Sequence, residues 1–470
     1  MIRAAVTLAL TALTTLAVCS KAPPAEPTPP EPAVAPWAPG KAYPTPREPN
    51  ARGLLDLRGL IHAHSIYSHD ACDSAPRSDA GVYDQGCLDD FRRGLCQSQH
   101  DFVFLTDHPS SFTTVEFPEA LLYREARGDT LVTRGGAPVA NFAGCPDGQK
   151  PALLMAGSEG EQMPVGLEHH VGATSDARRA VYNSLAADDL EKVKAAGAIS
   201  LVAHTERFTP DQLAAMPLDG FEMFNVHANL FRSAAVALEL VSRVDNHEPN
   251  FMDPNLVLLP IFTEDPKYLE TWGTVLSRGL RRVTTMGSDC HRNSFPTLMS
   301  DGERVDSYRR MMSWFSNHLL VRPRTGNTWD DLELKQALKA GRLYGAFEVL
   351  GYPLGFDFHA TEGAAVHEMG DQVSLAKGVK LLVTMPTLQG LDPRVEPPTL
   401  AARLLVAREG GWDTVKEGSG DLSFDVTAPG AYRVEIRMLP KHLKALLGRD
   451  AQLVTKDVVW VYSNPVYVAP

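Results

Sequence analysis

The sequence predicts an α/β protein, a parallel sheet or barrel dressed by helices, followed by a smaller all-β sandwich. Three observations predict it. Over residues 51–353, short apolar runs alternate with helix-like stretches, the pattern of buried parallel strands joined by helices. Over residues 354–470, long helical stretches are scarce and segments such as "LSFDVTAPGAYRVEIRML" read as strands and turns. Within the first region, six of seven apolar runs are followed by a residue with metal or phosphate chemistry. In a parallel barrel all strand C-termini share one face, so such residues would converge there.

The chain of 470 residues is too long for one ordinary domain, and its apolar and charged fractions are those of a globular protein. Net charge is −12 and no block of Lys or Arg stands out, which argues against an electrostatic grip on nucleic acid or anionic lipid. Residues 1–19 read as a signal peptide: Met1-Ile2-Arg3 supplies positive charge, and residues 4–18 are apolar but shorter than the about 20 residues a membrane span needs. The run ends in Leu16-Ala17-Val18-Cys19, which resembles a bacterial lipobox, although Val18 stands where that pattern prefers Gly, Ala or Ser. Export is expected, to the periplasm or cell envelope, with Cys19 the candidate for lipidation and for the protein's one hold on a membrane. Residues 20–50 carry a proline at every second or third position from Pro23, so an extended tether is expected there, with Trp37 incidental to it. Of the five cysteines after Cys19, one bridge is expected among Cys72, Cys87, Cys96 and Cys145, and an odd number leaves at least one thiol free.

Apolar runs at 57–61, 102–105, 153–155, 199–202, 221–224, 257–262 and 283–286 are the strand candidates of residues 51–353; 187–197 and 331–341 are helix candidates, the second closed by Gly341. The residues after the runs are His62 and His64, Asp107 and His108, Glu159, His204, Asn225, and Asp289-Cys290-His291. Each alone has a plain explanation: a strand-end cap, a satisfied core histidine, a solvated carboxylate. Jointly they point to a metal centre, and imidazole and carboxylate donors without a cysteine set suit zinc, manganese or iron.

His62-x-His64 with Ser65 and Asp70, Thr106-Asp107-His108, Gly157-Ser158-Glu159, Ala203-His204 and Gly287-Ser288-Asp289-Cys290-His291 resemble, in order, the motifs of the PHP (polymerase and histidinol phosphatase) superfamily over roughly residues 54–351. The resemblance implies a distorted (β/α)7 barrel with a cluster of two or three divalent metals that hydrolyses phosphoesters. It implies that His62, His64 and Asp289 hold one metal and that Glu159 bridges two. His204 would complete the second metal with a histidine of "LEHHVG", where His170 fits better than His169. Asp70, favoured over His69, would hold a third with His108 and His291. Glu222 and Asn225 resemble the family's sixth strand, where the asparagine orders the site. Three features depart from the common pattern: the long stretch 109–154 between motifs, Glu161 as a second carboxylate near Glu159, and Cys290 inside the last motif.

A bound divalent metal lowers the pKa of its water toward neutrality, so no strong protein base is needed. Glu159, Asp289 and His291 are the expected catalytic residues, the last two as proton relays. Arg207 and Arg292, next to expected ligands, are candidates to grip an anionic group of a small, phosphorylated substrate. The order of signal, barrel, β-sandwich and terminal "SNPVYV" also resembles an exported branch of the family that includes hydrolases of aryl carbamates and amides. Esters of carboxylic acids, carbamates and amides are therefore the alternative substrates. A third alternative is a non-catalytic binding protein at the cell surface.

Overall fold

The computed structural model describes residues 36–470 except Asp79 and Asp147. The signal peptide, Cys19 and the first part of the Pro-rich segment lie outside the described residues. The described chain is mixed α/β: a 15-stranded mixed sheet, a four-stranded sheet and two two-stranded sheets, with helices between.

The strand Leu55–Leu60 sits at the middle of the large sheet, parallel to Phe102–Phe104, which in turn runs parallel to Ala152–Gly157. Its near-continuous burial explains the unbroken apolar run, as both faces are covered. Beyond Ala152–Gly157 the direction changes. Met163–Leu167 is antiparallel to it, and Ile199–Leu201 is antiparallel to Met163–Leu167. A separate parallel pair joins Gly220–Asn225 to Val283–Gly287. Glu222 N donates to Val202 O at 3.0 Å, a parallel bridge joins Ala63 to Cys290, and the Asn317 amide exchanges two hydrogen bonds with the Met286 backbone. The strand ends that carry the polar motifs are thereby brought side by side.

The expectation of uniformly parallel strands is corrected here, because Met163–Leu167 and Ser316–Val321 run against their neighbours. The apolar run at 257–262 is also not a strand. Proline at 254 and 260 starts short 3₁₀ turns, Pro254–Leu256 and Leu259–Ile261, which lack a free N–H for a ladder. The two helix candidates form as Ala187–Ala195 and Asp331–Ala340, the latter opened by an Asp330–Glu333 capping box and closed by Gly341 at φ +76°. The long stretch after Pro109 builds a hairpin, Thr130–Arg134 with Ala137–Ala143, that extends the sheet beside Ala152–Gly157.

The C-terminal strands divide among a four-stranded antiparallel sheet containing Asp357–Glu362 and Val379–Thr384, a two-stranded pair of Pro353–Leu354 with Thr387–Leu388, and the large sheet itself. Val458–Ser463 pairs with Leu343–Ala346, so hydrogen bonding continues across the boundary expected near residue 353. Arg433 pins the junction, its guanidinium 4.4 Å from the Trp272 ring and 4.3 Å from the Trp412 ring, paired to Glu435 at 2.6 Å.

The expected tether is corrected from residue 36 onward. Trp37 and Tyr43 are buried, Trp37 N donates to Gly390 O at 2.7 Å, and Thr45 Oγ1 donates to Asp101. An extended proline-rich strand lacks ladder donors but can still bury its aromatic side chains, and here they anchor it. Two disulfides, Cys72–Cys87 and Cys96–Cys145, secure the segment after the first motif and the excursion after Pro109; Cys290 is a buried free thiol.

Candidate metal centre

Six histidines and three carboxylates meet where the strand ends gather. His62 and His64 follow Leu55–Leu60, and because residues two apart on an extended chain point the same way, both rings enter the site, with their Nε2 atoms 3.1 Å apart. Glu159 Oε2 lies 3.3 Å from His62 Nε2 and 3.2 Å from His64 Nε2, while its Oε1 lies 3.1 Å from His204 Nε2. Asp289 repeats this division. Its Oδ1 is 3.3 and 3.2 Å from His62 and His64, and its Oδ2 is 3.2 Å from both His204 Nε2 and His227 Nδ1. Asp70 Oδ2 takes His108 Nε2 at 3.1 Å and His291 Nε2 at 3.3 Å. Three groups of donor atoms, each within 4.8 Å of one another, could hold a metal ion: His62–His64–Glu159–Asp289, His64–Asp70–His108–His291, and His227–Asp289–His291.

The rings are aimed by what they hold on their other nitrogen. His62 Nδ1 is 2.6 Å from Glu222 Oε1, His64 Nδ1 3.0 Å from Ser68 Oγ, and His204 Nδ1 3.2 Å from Glu206 Oε1. His108 Nδ1 donates to Glu159 O at 2.8 Å and His291 Nδ1 to Asp289 O at 2.7 Å. A proton fixed on Nδ1 leaves the Nε2 lone pair inward, the orientation that metal-ligating histidines take. Glu222, fully buried, also accepts from His204 N and the Asn225 amide, so one carboxylate aligns three strand ends. Gly287 is required for this. A Cβ there would stand 2.0 Å from Glu222 Oε1. His204 and Asp289 both sit at positive φ, +51° and +50°, a conformation uncommon for residues with side chains and held here at two donor positions.

The loop between His64 and Asp70 is equally constrained. Asp107 accepts from Ser65 N and Ser65 Oγ, Ser68 Oγ donates to Asp70 Oδ1 at 2.7 Å, and Tyr308 OH donates to the carbonyls of His64 and Ala71. The Cys72–Cys87 disulfide follows two residues after Asp70.

Electrostatics set the character of the cluster. Burial disfavours charge on His62 and His64, yet the adjacent carboxylates of Asp289 and Glu159 carry His64 up to about 10, and those of Asp289, Glu222 and Glu159 carry His62 well above the usual range. The surrounding histidines hold Glu159 and Asp289 well below the usual carboxylate range against their own burial. His291 moves the other way, down to about 4, through burial and the neighbouring His64 charge. Asp289 Oδ1 and His291 Nε2 are buried without a hydrogen-bond partner, and no Lys or Arg among the described residues pairs with Asp70, Glu159, Glu222 or Asp289. Such a donor set fits divalent cations, which satisfy inward imidazole lone pairs and shared carboxylates together.

Of the sequence-predicted ligands, His62, His64, Asp70, His108, Glu159, His204, Asp289 and His291 are brought together. His170 is not. Its Nε2 donates to Val115 O at 2.7 Å, its Nδ1 faces Tyr182 OH, and its ring packs against Phe112. The strand before it, Met163–Leu167, is antiparallel to Ala152–Gly157, so it leaves the sheet at the end away from Glu159. The histidine that stands beside Asp289 in place of His170 is His227, missed in the sequence, which groups with Asp289 and His291 and stacks on His291 at 4.8 Å. Its signal was Asn225-x-His227, the same two-residue spacing as His62-x-His64, hidden because the run ends at Asn225 and a helix begins at Val226. His69 stays outside the donor groups, bonded to Ser110 Oγ. Arg292 is also corrected: it faces Asp90 at 3.3 Å instead of the cleft.

The cluster opens into a cleft of about 490 Å³ whose lining includes Ser110, Arg179, Asn183, Arg207 and Phe231. Arg179 donates to Ser110 O at 3.4 Å and Arg207 approaches Glu161 at 3.8 Å, contacts loose enough to be exchanged for a ligand.

No protein-family model matches the chain, and no curated protein is similar to it in sequence. The crystal structure of PsfC from Pseudomonas syringae PB-5123 superposes on 62% of this chain and 93% of its own at 12% identity, with a TM-score of 0.32, a likeness too slight to carry an argument.

Proposed function

We propose that this protein is a metal-dependent hydrolase of phosphoesters. The carrying observation is the convergence of six imidazoles and three carboxylates from separate strand ends, five of the rings held through Nδ1 so that Nε2 faces inward. We read the strands around them as the staves of a distorted barrel, supported by the bonds from Val202 to Glu222, Ala63 to Cys290 and Met286 to Asn317. The strands after residue 354 form the sandwich packed on it. The resemblance to the PHP superfamily supports the same reading.

Two or three zinc, manganese or iron ions would be held by His62, His64, Glu159 and Asp289, by Asp70, His108 and His291, and by His204 and His227 with the second oxygens of Glu159 and Asp289. When bound, such ions supply Lewis-acid charge and make water a nucleophile near neutral pH. Glu159 and Asp289 each present one oxygen to the His62–His64 side and one to His204, fixing the spacing across the site. Arg179 and Arg207 hold the anionic phosphoryl group at the mouth. Hydrolysis joins the water oxygen to phosphorus and breaks the bond from phosphorus to the ester oxygen. Asp289 would take the water's proton and pass it to the leaving oxygen, so that the alcohol departs neutral and the carboxylate is regenerated. The two disulfides and the N-terminal sequence support export to an oxidising compartment, with Cys19 as the lipid anchor. Among the described residues no helix is long and apolar enough to cross a membrane.

The test is turnover of nitrophenyl phosphate, bis-nitrophenyl phosphate and nitrophenyl acetate by metal-replete protein. Phosphoester cleavage that a chelator abolishes and zinc, manganese or iron restores is expected. Cleavage of the acetate alone would replace the reading with carboxyl-ester hydrolysis, and no turnover of any would leave a binding protein.

A further inference from the structure

Among the described residues Phe231 is the most exposed of the large apolar side chains, with 82% of its surface in solvent, and it lines the cleft over the candidate metal centre. An exposed ring at the mouth of a polar cleft offers an apolar face to whatever enters that cleft. The helix Val226–Arg232 explains its position. Phe231 stands four residues after His227, and residues four apart share a helix face, one turn apart. The ring therefore stands one turn from a metal-facing imidazole. The helix end is tied down beside it: the Arg232 guanidinium donates to Thr263 Oγ1 at 2.8 Å, to Thr263 O and Asn229 Oδ1, both at 3.2 Å, and to Glu264 O. Phe231 is thus presented by a fixed backbone. Arg179 and Arg207 place two guanidinium groups in the lining of the same cleft.

From this we infer that the substrate carries an aromatic or bulky apolar group next to the bond that is cleaved, seated on Phe231, with its anionic group toward Arg179 and Arg207. The inference rests on the hydrolase reading and sharpens it to a substrate class: anionic aryl or bulky-alkyl esters in preference to small, wholly polar ones. Phe231 is a specificity-determining residue that leaves the metal ligands untouched.

Binding of phenylphosphonate and methylphosphonate, neither of which can be hydrolysed, is measured by calorimetry on metal-loaded wild type, Phe231→Ala and Phe231→Trp. Because the side chain is exposed, neither substitution disturbs the core. Stacking of one aromatic pair is worth about 0.5–1.5 kcal/mol. The phenyl compound is therefore expected to bind about two- to thirteenfold tighter in the wild type. Phe231→Ala should remove that preference, Phe231→Trp should retain it, and methylphosphonate affinity should stay the same in all three. Equal preference in wild type and Phe231→Ala, or none in wild type, overturns the inference. If neither phosphonate binds, the phosphoester reading fails separately, and naphthyl acetate against methyl acetate then decides: a naphthyl preference lost in Phe231→Ala sustains the apolar subsite, and an unchanged ratio overturns it.

Discussion

The strand Leu55–Leu60 and its extension carry two buried clusters of histidine and carboxylate that differ in one respect. Within the strand, Arg58 pairs with Glu348 at 2.6 Å, and His318 lies 2.8 Å from Asp56 and 3.4 Å from Glu348. Ser316 and Tyr344 donate to the same two carboxylates. Each anion there has a protein cation, and Asp56 and Glu348 help carry His318 up to about 9 against burial. Past the strand end, Glu159 and Asp289 have only histidines, whose Nε2 atoms crowd one another. Burial of polar groups does not distinguish a site from a brace; what does is that Glu159 and Asp289 are shared among several crowded imidazoles and have no guanidinium or ammonium partner among the described residues. The first cluster is complete as a structural element, whereas the second groups donor atoms that could hold metal ions, and we propose that such ions complete it.

The comparison is open to breaking from either side. The largest effect is expected for Arg58→Ala, which leaves Glu348 buried without its guanidinium and should destabilise the fold by about 3–5 kcal/mol in denaturant unfolding, while the folded fraction keeps its metal. Next, His227→Ala should lose metal while the fold survives. His170→Ala should keep all its metal and lose about 1–3 kcal/mol of stability from the groups it leaves unpaired. Metal analysis beside a thermal melt separates the two, and metal loss in His170→Ala instead would reverse the ligand assignment. Glu222→Gln keeps the shape but weakens the hold on His62, so metal affinity should fall about 10- to 100-fold in chelator competition.

The smallest effect is one of pH. His64 in the metal-free fold is raised from about 6.5 to about 10. Its contribution to metal-free stability is therefore full below pH 6.5 and lost as pH rises through about 10. Metal ions need the neutral ring and gain affinity over the same range. The difference in melting temperature between metal-loaded and chelated protein should widen from pH 6.5 to pH 10, and a constant difference would contradict this.

Much of the site could be read in the sequence because its donors follow short apolar runs, and a run's end is a position that periodicity locates well. Seven of the expected ligands meet for that reason, and Asp70, expected from the resemblance alone, joins them from the loop after His64. His170 was expected from the resemblance and not from a run's end, and the antiparallel direction of Met163–Leu167 carries it away from the cluster. His227 was hidden by a helix that begins one residue before it. The fold was legible as α/β followed by β, but strand polarity and the sharing of one sheet across residue 353 depend on pairings between distant segments, such as Tyr344 with Ser463, that local pattern does not encode. Trp37 and Tyr43 carry the same lesson: a proline-rich stretch reads as a tether until the surface it covers is known.

The most direct test of the central claim is metal content per chain, by elemental mass spectrometry, of wild type and Asp289→Ala purified with zinc, manganese and iron supplied. Two or three equivalents in the wild type, falling to one or none in a folded Asp289→Ala, is the predicted result. A folded wild type without metal, or an Asp289→Ala variant that keeps its full complement, would contradict the account.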